Sequence, residues 1–212
     1  MSNIFLTSDT HFFHDREFLY LPRGFATIEE MNEAIVERWN EVVKPEDEVY
    51  HLGDMTLTNV DAAIPYINRL NGTIRWILGN HDTEKKVDKI MDECPKVWLL
   101  GWAYQFKYDK KFSIYLSHYP TLTANYDSKK FSQHVLALHG HTHQRTNWIN
   151  PANPFTYHVG VDSHNCTPVH IDEVITDIRQ RWNDIGQLPL SAKLEDVYPY
   201  NNFINGCSFY ER

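Results

Sequence analysis

Three short apolar runs alternate with helix-like segments in the first half of the 212-residue chain. The apolar runs, which read as strands, cover 3–8, 48–52 and 73–78, and the segments predicted as helices cover 28–43, 60–70 and 84–93. The first of these helices has the clearest pattern, because apolar residues recur at helical spacing after a Thr27–Glu30 capping box. Alternation of strand and helix predicts a parallel sheet covered by helices, as in α/β proteins.

The second half of the chain is richer in strands. The strands predicted there cover 103–109 and 111–118, which form a hairpin around Asp109-Lys110, and then 135–139 and 156–161. Asp172 is expected to cap a last helix that ends near Asn183. We predict one domain over 1–186, followed by an irregular tail over 187–212 that packs its aromatic residues on the same domain.

The composition excludes several classes of protein. A net charge of −8 argues against a basic face for long nucleic acids and favours a small substrate. Cys94, Cys166 and Cys207 are far apart and form no CxxC pair, so neither a disulfide framework nor a thiolate zinc site is expected. The chain lacks both a run of about 20 apolar residues and a signal-peptide pattern, which predicts a cytoplasmic protein without a membrane partner. No pattern specifies an oligomeric state.

Acidic, amide and imidazole side chains follow the ends of the predicted strands. Asp9 and His11 follow the first strand, and Asp54 follows the second. Later strand ends are followed by Asn80, His81, Asp82, His118, His141 and His143. In open α/β sheets the loops at the carboxyl ends of strands converge on ligand sites, so we expect these side chains to lie together.

Carboxylates and imidazoles without thiolates are typical ligands of Mn, Fe, Zn, Ni or Co. The side chains at these strand ends are too many for one ion but suit two, if one carboxylate bridges them. Two ions about 3.5–4 Å apart support an in-line displacement at phosphorus. In this interpretation His141 and His143 serve neighbouring ions, and Gly140 lets the backbone pass close to them. The alternative for each residue is structural, such as a loop carboxylate for Asp9 or a turn residue for Asn80.

Five short motifs, taken in order, resemble those of the calcineurin-like metallophosphoesterase superfamily. They are DTH (9–11), GD (53–54), GNHD (79–82), SHYP (117–120) and GHTH (140–143). The longer stretches DTHFFH, HLGD, LNG…GNHD and VGVD are most similar to its small bacterial and phage members. The resemblance covers about residues 3–180. It implies an α/β fold, a four-layer αββα sandwich in which two mixed β-sheets are flanked by helices.

The resemblance also implies a role for each motif residue. The implied metal ligands are Asp9, His11 and His143 for one ion, and Asn80, His118 and His141 for the other. Asp54 would bridge the two ions together with water or hydroxide. His81 would stabilise the transition state or protonate the leaving oxygen, and Asp82 would orient the His81 imidazole. The expected cofactors are two divalent transition-metal ions, Mn or Fe first, with Zn or Ni as alternatives.

These roles imply a dinuclear-metal-dependent phosphoesterase in which a metal-bridging hydroxide attacks phosphorus in line. We expect the substrate to be a phosphodiester or cyclic nucleotide, because the small members that the chain resembles often act on those. A phosphomonoesterase acting on a nucleotide or phosphoprotein is the first alternative. An interaction scaffold that kept the fold is an alternative of another class, and the presence of every ligand position and of His81 argues against it.

Two aromatic residues depart from the family pattern in the first motif. Phe12 and Phe13 stand where the family commonly has glycine, and their bulk predicts a narrowed site or an aromatic wall for a base. His14, in the same loop, is either a phosphate contact or an ordinary surface residue. His139 is expected to be a strand residue that forms a hydrogen bond near the site.

Overall fold

The computed structural model describes residues 2–150 and 152–186, and this part of the chain contains nine strands and five α-helices. The strands are β1 (Ile4–Thr7), β2 (Glu48–His51), β3 (Thr73–Ile77), β4 (Val97–Gly101), β5 (Ala103–Tyr108), β6 (Phe112–Ser117), β7 (Val135–His139), β8 (Thr156–His158) and β9 (Val169–His170). The helices are α1 (Glu17–Tyr20), α2 (Ile28–Val42), α3 (Val60–Arg69), α4 (Glu84–Glu93) and α5 (Ile171–Gly186). The predicted tail over 187–212 lies outside the described residues.

The strands form two mixed sheets. The first has the order β4-β3-β2-β1-β9, with the first four strands parallel and β9 antiparallel to β1. The second has the order β5-β6-β7-β8, with β5 antiparallel to β6 and the other pairs parallel. The two mixed sheets with their helices confirm the predicted α/β fold. β4, β9 and the short helix α1 were not predicted.

Side chains alternate across the first sheet and therefore enter two separate cores. Phe5, Val49 and Trp76 belong to one core, together with the buried face of α2 and parts of α3 and α4. Leu6 and Tyr50 point the other way, into a core shared with the second sheet and with α5. Packing on both faces of the sheet holds the strand ends in place. The loops that follow therefore begin at fixed positions.

The ends of two helices test the predicted caps. At the start of α2, Thr27 Oγ1 accepts the Glu30 N–H at 3.1 Å, which confirms the N-cap at Thr27. The prediction for Asp172 was wrong, because α5 begins at Ile171 and Asp172 lies inside its first turn. The chain passes from β9 into α5 without a loop, and the imidazole Nδ1 of His170 accepts the Asp172 N–H at 3.2 Å. Among the described helices, none combines the length and apolar character needed to cross a membrane.

Candidate metal centre

The loops that follow the parallel strands meet at one edge of the sandwich. The Asp9 N–H donates to Gly53 O at 3.0 Å, and the His11 N–H donates to Asp54 O at 3.1 Å, which ties the loop after β1 to the loop after β2. The His141 N–H donates to Asp9 Oδ2 at 2.9 Å and brings in the loop after β7. The structure therefore gathers the candidate residues, as the strand-end pattern predicts.

Asp9, His11 and His143 form one cluster, called here the first half-site. The Nε2 atoms of His11 and His143 lie 3.3 Å apart. Asp9 Oδ1 lies 3.9 Å from His11 Nε2 and 3.7 Å from His143 Nε2, and it is buried without a hydrogen-bond partner. Two imidazole nitrogens facing each other beside an unpartnered carboxylate oxygen are arranged to bind a cation.

Asn80, His118 and His141 form the adjoining second half-site. The Nδ1–H of His118 donates to Leu52 O at 2.8 Å, which turns Nε2 towards Asn80 Oδ1 at 3.0 Å. The rings of His118 and His141 lie 5.0 Å apart, centre to centre. One oxygen or nitrogen from each of Asp9, Asp54 and His118 lies within 4.8 Å of the others, so these three residues could hold a cation beside this half-site.

Asp54 lies between the two half-sites. Its Oδ2 is 3.6 Å from His11 Nε2 and 3.5 Å from His118 Nε2, so one carboxylate oxygen faces both. Burial raises the pKa of Asp54, but the hydrogen bond and charge of His118 outweigh burial and lower it overall. The carboxylate is therefore ionised at neutral pH. This is the position that a bridging ligand requires.

The ionisation of His118 shows that the centre favours positive charge. Burial lowers the pKa of His118, but the hydrogen bond to Asp54 and the charge of Asp9 outweigh it and raise the pKa to about 9. At neutral pH the metal-free protein thus keeps a proton beside these buried carboxylates. A divalent ion can replace that proton, so the donor set fits the metals that the family resemblance implies.

His81 lies at the mouth of the centre. Its side chain is 44% exposed, and its Nε2 is 4.0 Å from Asp54 Oδ2. The backbone around it is fixed, because the His81 N–H donates to Asp54 Oδ1 at 2.9 Å and the Lys86 ammonium donates to His81 O at 2.7 Å. His81 is therefore both anchored and accessible to a molecule in the cleft.

Asp82 makes different contacts from those that the resemblance implies. Its Oδ2 accepts the N–H groups of Gly79 at 2.7 Å and Asp54 at 2.8 Å, and these bonds do not involve the His81 imidazole. Burial raises the pKa of Asp82 to about 6, although these amide hydrogen bonds oppose the rise. Asp82 braces the loops that carry Asp54 and Asn80, and no hydrogen bond to the imidazole supports the orienting role.

Most of the predicted ligands have a strained backbone. The five with a left-handed φ are Asp9 (60°), His11 (48°), Asp54 (56°), His141 (69°) and His143 (47°). For residues other than glycine this conformation costs about 1 kcal/mol or more each, and it is concentrated at functional sites. Gly140 has a different reason to be glycine, since a Cβ there would overlap Ser8 Oγ and the Asp9 carboxylate. The backbone at Gly140 therefore passes close to Ser8 and Asp9, and its approach to the ions stays a prediction.

The prediction for Phe12 and Phe13 was wrong. Phe12 is fully buried in the helical core, where it packs near Tyr66. Phe13 packs against the same core, with its ring edge-on to Tyr66 at 5.1 Å. Neither ring narrows the site or walls it. Phe13 has a φ of 58°, so the backbone keeps the left-handed turn that glycine favours in the family.

The two histidines of less certain role lie close to the centre. His139 is buried on β7, and its Nδ1–H donates to Gly140 O at 2.8 Å, which confirms a strand residue with a hydrogen bond near the site. His14 is nearly buried rather than on the surface, with its ring 5.3 Å from that of His11. Burial lowers the pKa of His14 to about 4, so this imidazole is neutral near the first half-site.

The sequence analysis missed two residues beside the first half-site. Asp162 Oδ2 accepts the Nδ1–H of His143 at 2.9 Å, and Arg23 pairs with both oxygens of Asp162. Asp162 belongs to the VGVD stretch, which carried a resemblance but no role. Arg23 had no sequence signal, because its contacts with Asp162 join positions 139 residues apart.

A sandwich of two mixed sheets, with carboxylate and imidazole side chains gathered at the strand ends around two adjoining cation sites, defines a metallophosphoesterase-like protein. The family model of the calcineurin-like phosphoesterase superfamily domain matches residues 2–152. The chain belongs to this family of hydrolases.

The relatives and structural neighbours agree with this assignment. An uncharacterized protein of Methanocaldococcus jannaschii, MJ1445, is 32% identical over 82% of this chain and 90% of its own length. The gene 66 protein of Mycobacterium phage D29 is 30% identical over 85% of this chain and 99% of its own. The crystal structure of AQ665, a protein of unknown function from Aquifex aeolicus, has a TM-score of 0.59 at 21% identity, covering 83% of this chain and 99% of that one. This last likeness concerns the fold alone.

Proposed function

We propose that the protein is a dinuclear-metal-dependent phosphodiesterase that hydrolyses a phosphodiester or a cyclic nucleotide. The observation that carries the proposal is Asp54, whose Oδ2 lies about equally far from His11 Nε2 (3.6 Å) and His118 Nε2 (3.5 Å). Membership of a phosphoesterase family supports hydrolysis of a phosphate ester. The preference for a diester rests on the resemblance to small family members, and a cytoplasmic location stays a prediction.

Each half-site would hold one ion in this proposal. The ligands would be Asp9, His11 and His143 for the first ion, Asn80, His118 and His141 for the second, and Asp54 for both. Mn or Fe suits these nitrogen and oxygen donors, with Zn or Ni as alternatives. When bound, two such ions withdraw charge from phosphate oxygens and lower the pKa of water.

His81 lies where a substrate would enter, with its side chain 44% exposed. We assign its imidazole to the departing oxygen, to which it donates a proton or hydrogen bond as the ester bond breaks. The contacts of the His81 peptide with Asp54 and Lys86 keep the ring at the mouth while the side chain itself stays exposed. Asp82 serves by bracing the Asp54 loop.

The test is hydrolysis of bis-p-nitrophenyl phosphate and of p-nitrophenyl phosphate, each assayed with Mn²⁺ and with chelator. We expect faster turnover of the diester, a loss of at least about 100-fold in Asp54→Asn, and a loss of about 10²–10⁴-fold in His81→Asn with Mn²⁺ binding unchanged. His170→Asn, remote from the centre, is the matched control.

Other outcomes point to the alternatives. Faster turnover of the monoester would overturn the diester preference and favour a phosphomonoesterase. Tight Mn²⁺ binding without turnover of either ester, or of cyclic nucleotides, would overturn the enzyme and favour the interaction scaffold.

A further inference from the structure

Asp162 is enclosed between Arg23 and His143. The Arg23 Nε–H donates to Asp162 Oδ1 at 2.8 Å and an Nη2–H donates to Oδ2 at 2.9 Å, a two-pronged ion pair. The side chain of Arg23 is 2% exposed and that of Asp162 is 11% exposed. Pairs of this geometry hold the carboxylate in a fixed plane, and burial protects the pair from screening by salt.

The ion pair fixes the imidazole of His143. An ionised carboxylate only accepts hydrogen bonds, so the His143 nitrogen that faces Asp162, Nδ1, has to carry the proton. The lone pair is then on Nε2, which lies 3.7 Å from Asp9 Oδ1 and 3.3 Å from His11 Nε2. The contact thus selects the tautomer of His143 that can bind a cation in the first half-site.

Arg23 also reaches the other side of the same half-site. Its Nη2 donates to the backbone oxygen of Asp9 at 2.9 Å, and Nη1 lies 3.4 Å from Thr10 O. One guanidinium therefore fixes both the carboxylate behind His143 and the strained backbone of Asp9. The second half-site has no equivalent at His118, whose Nδ1–H donates to a neutral backbone oxygen, that of Leu52.

We propose that Arg23 and Asp162 are positioning residues that strengthen metal binding at the first half-site, so that the two ions bind with unequal affinity and the first half-site fills first. This inference rests on the metal centre of the proposed function but not on the reaction or its substrate. Contacts of this kind typically contribute 10–100-fold to metal affinity.

The test is calorimetric titration of the metal-free, full-length protein with Mn²⁺. For the unaltered protein we expect two classes of site. In Asp162→Asn the Mn²⁺ affinity of the tighter class of site should fall about 10–100-fold. The affinity of the weaker class should change by less than about 3-fold. The matched control is Asp177→Asn, which alters a carboxylate that accepts hydrogen bonds from Tyr157 and Asn147 outside the centre. It should leave both classes as they are.

A second readout reports the tautomer without any metal. Histidine-selective ¹⁵N NMR of the metal-free protein, at a pH where His143 is neutral, should show His143 protonated at Nδ1 in the unaltered protein and at Nε2 in Asp162→Asn, because an asparagine amide can donate where the carboxylate accepts. Should Asp162→Asn fail to fold, Arg23→Lys replaces it. Lysine keeps the positive charge but cannot form the two-pronged contact with Asp162. The Mn²⁺ affinity of the tighter class of site should then fall about 3–10-fold.

Two results would overturn the inference: equal Mn²⁺ affinities in the variant and the unaltered protein, or equal weakening of both classes. A missing phosphoesterase activity would not, since the titration and the NMR spectrum do not depend on turnover. Conversely, active protein with unchanged metal binding in Asp162→Asn would leave the proposed function standing while refuting this role.

Discussion

The two half-sites lie side by side but are built differently. In the first, all three residues have a left-handed backbone, and the buried Arg23–Asp162 pair fixes the arrangement from outside. In the second, His141 is left-handed, whereas His118 directly follows β6 and Asn80 lies three residues after β3, both without that strain. The first half-site thus depends more on strained loops than the second.

The contrast indicates where substitutions should alter metal binding most. A strained loop keeps its shape only while the surrounding contacts over-determine it. Changes near the first half-site should therefore alter metal binding more than changes of equal size near strand ends. The first prediction tests this difference directly, and two further predictions concern the stability of the loops around the centre.

The largest effect is expected from Gly140→Ala. The new Cβ would overlap Ser8 Oγ and the carboxylate of Asp9, which must shift. We expect an unfolding free energy lower by about 3 kcal/mol and weaker Mn²⁺ binding at the tighter class of site. Urea denaturation and calorimetric titration measure the two quantities.

The control for that change is Gly186→Ala, where the added Cβ meets no atom of the described residues within 4 Å. It should alter neither quantity. If Gly140→Ala weakened both classes of site alike, the two half-sites would not be separately anchored, and the comparison would fail.

A smaller effect is expected on the stability of the protein at acidic pH, and it depends on His51. His51 is the last residue of β2, and its Nε2–H donates to Thr10 Oγ1 at 3.0 Å, while its Nδ1 is buried without a partner among the described residues. Burial lowers the pKa of His51 to about 3. Between that value and the ordinary 6.5 the unfolded chain binds the proton and the folded protein does not, so stability falls as the pH decreases through this window.

We expect the free energy of unfolding of the metal-free protein to fall between pH 7.5 and pH 5. The fall should be about 2 kcal/mol smaller in His51→Gln than in the unaltered protein. Urea denaturation in the presence of chelator at the two pH values measures the difference. Gly186→Ala, which removes no titratable group, should follow the unaltered protein. Parallel pH profiles for His51→Gln and the unaltered protein would refute the prediction.

The smallest effect is expected at Phe13, in the strained loop of the first half-site. Replacement by alanine removes the ring from Tyr66 but keeps a Cβ at a φ of 58°, whereas replacement by glycine also relieves the backbone. Phe13→Gly should therefore be more stable than Phe13→Ala by about 1 kcal/mol, the reverse of the usual order inside helices. Urea denaturation of the pair decides this, and an alanine variant at least as stable would mean that the loop is not strained there.

Much of the fold could be predicted, because apolar periodicity reports which face of an element is buried. The helix predicted over 84–93 is α4, with the same bounds. β4 was missed, since as an edge strand it leaves Trp98 and Leu99 exposed and lacks a buried pattern. β9 has two residues, too few for any periodicity.

The candidate site also contains residues that could be predicted from the sequence and residues that could not. The residues that the structure gathers could be found because each lies in a short motif directly after a strand. Their supports could not, since Arg23 reads as an ordinary charged loop residue until the fold brings Asp162 to it. Asp82 shows the limit of the motif itself, which placed the residue correctly but not its hydrogen bonds.

The separation of the ligands along the chain has a consequence for how the protein acquires metal. His11 and His143 face each other across 132 residues of sequence, and β1, which leads to His11, pairs on one side with β9 near the end of the described chain. A chain emerging from the ribosome presents Asp9 and His11 long before their partners exist, and closing so large a loop depends on the sandwich. If the centre binds metal as proposed, we expect capture to follow the formation of the sandwich.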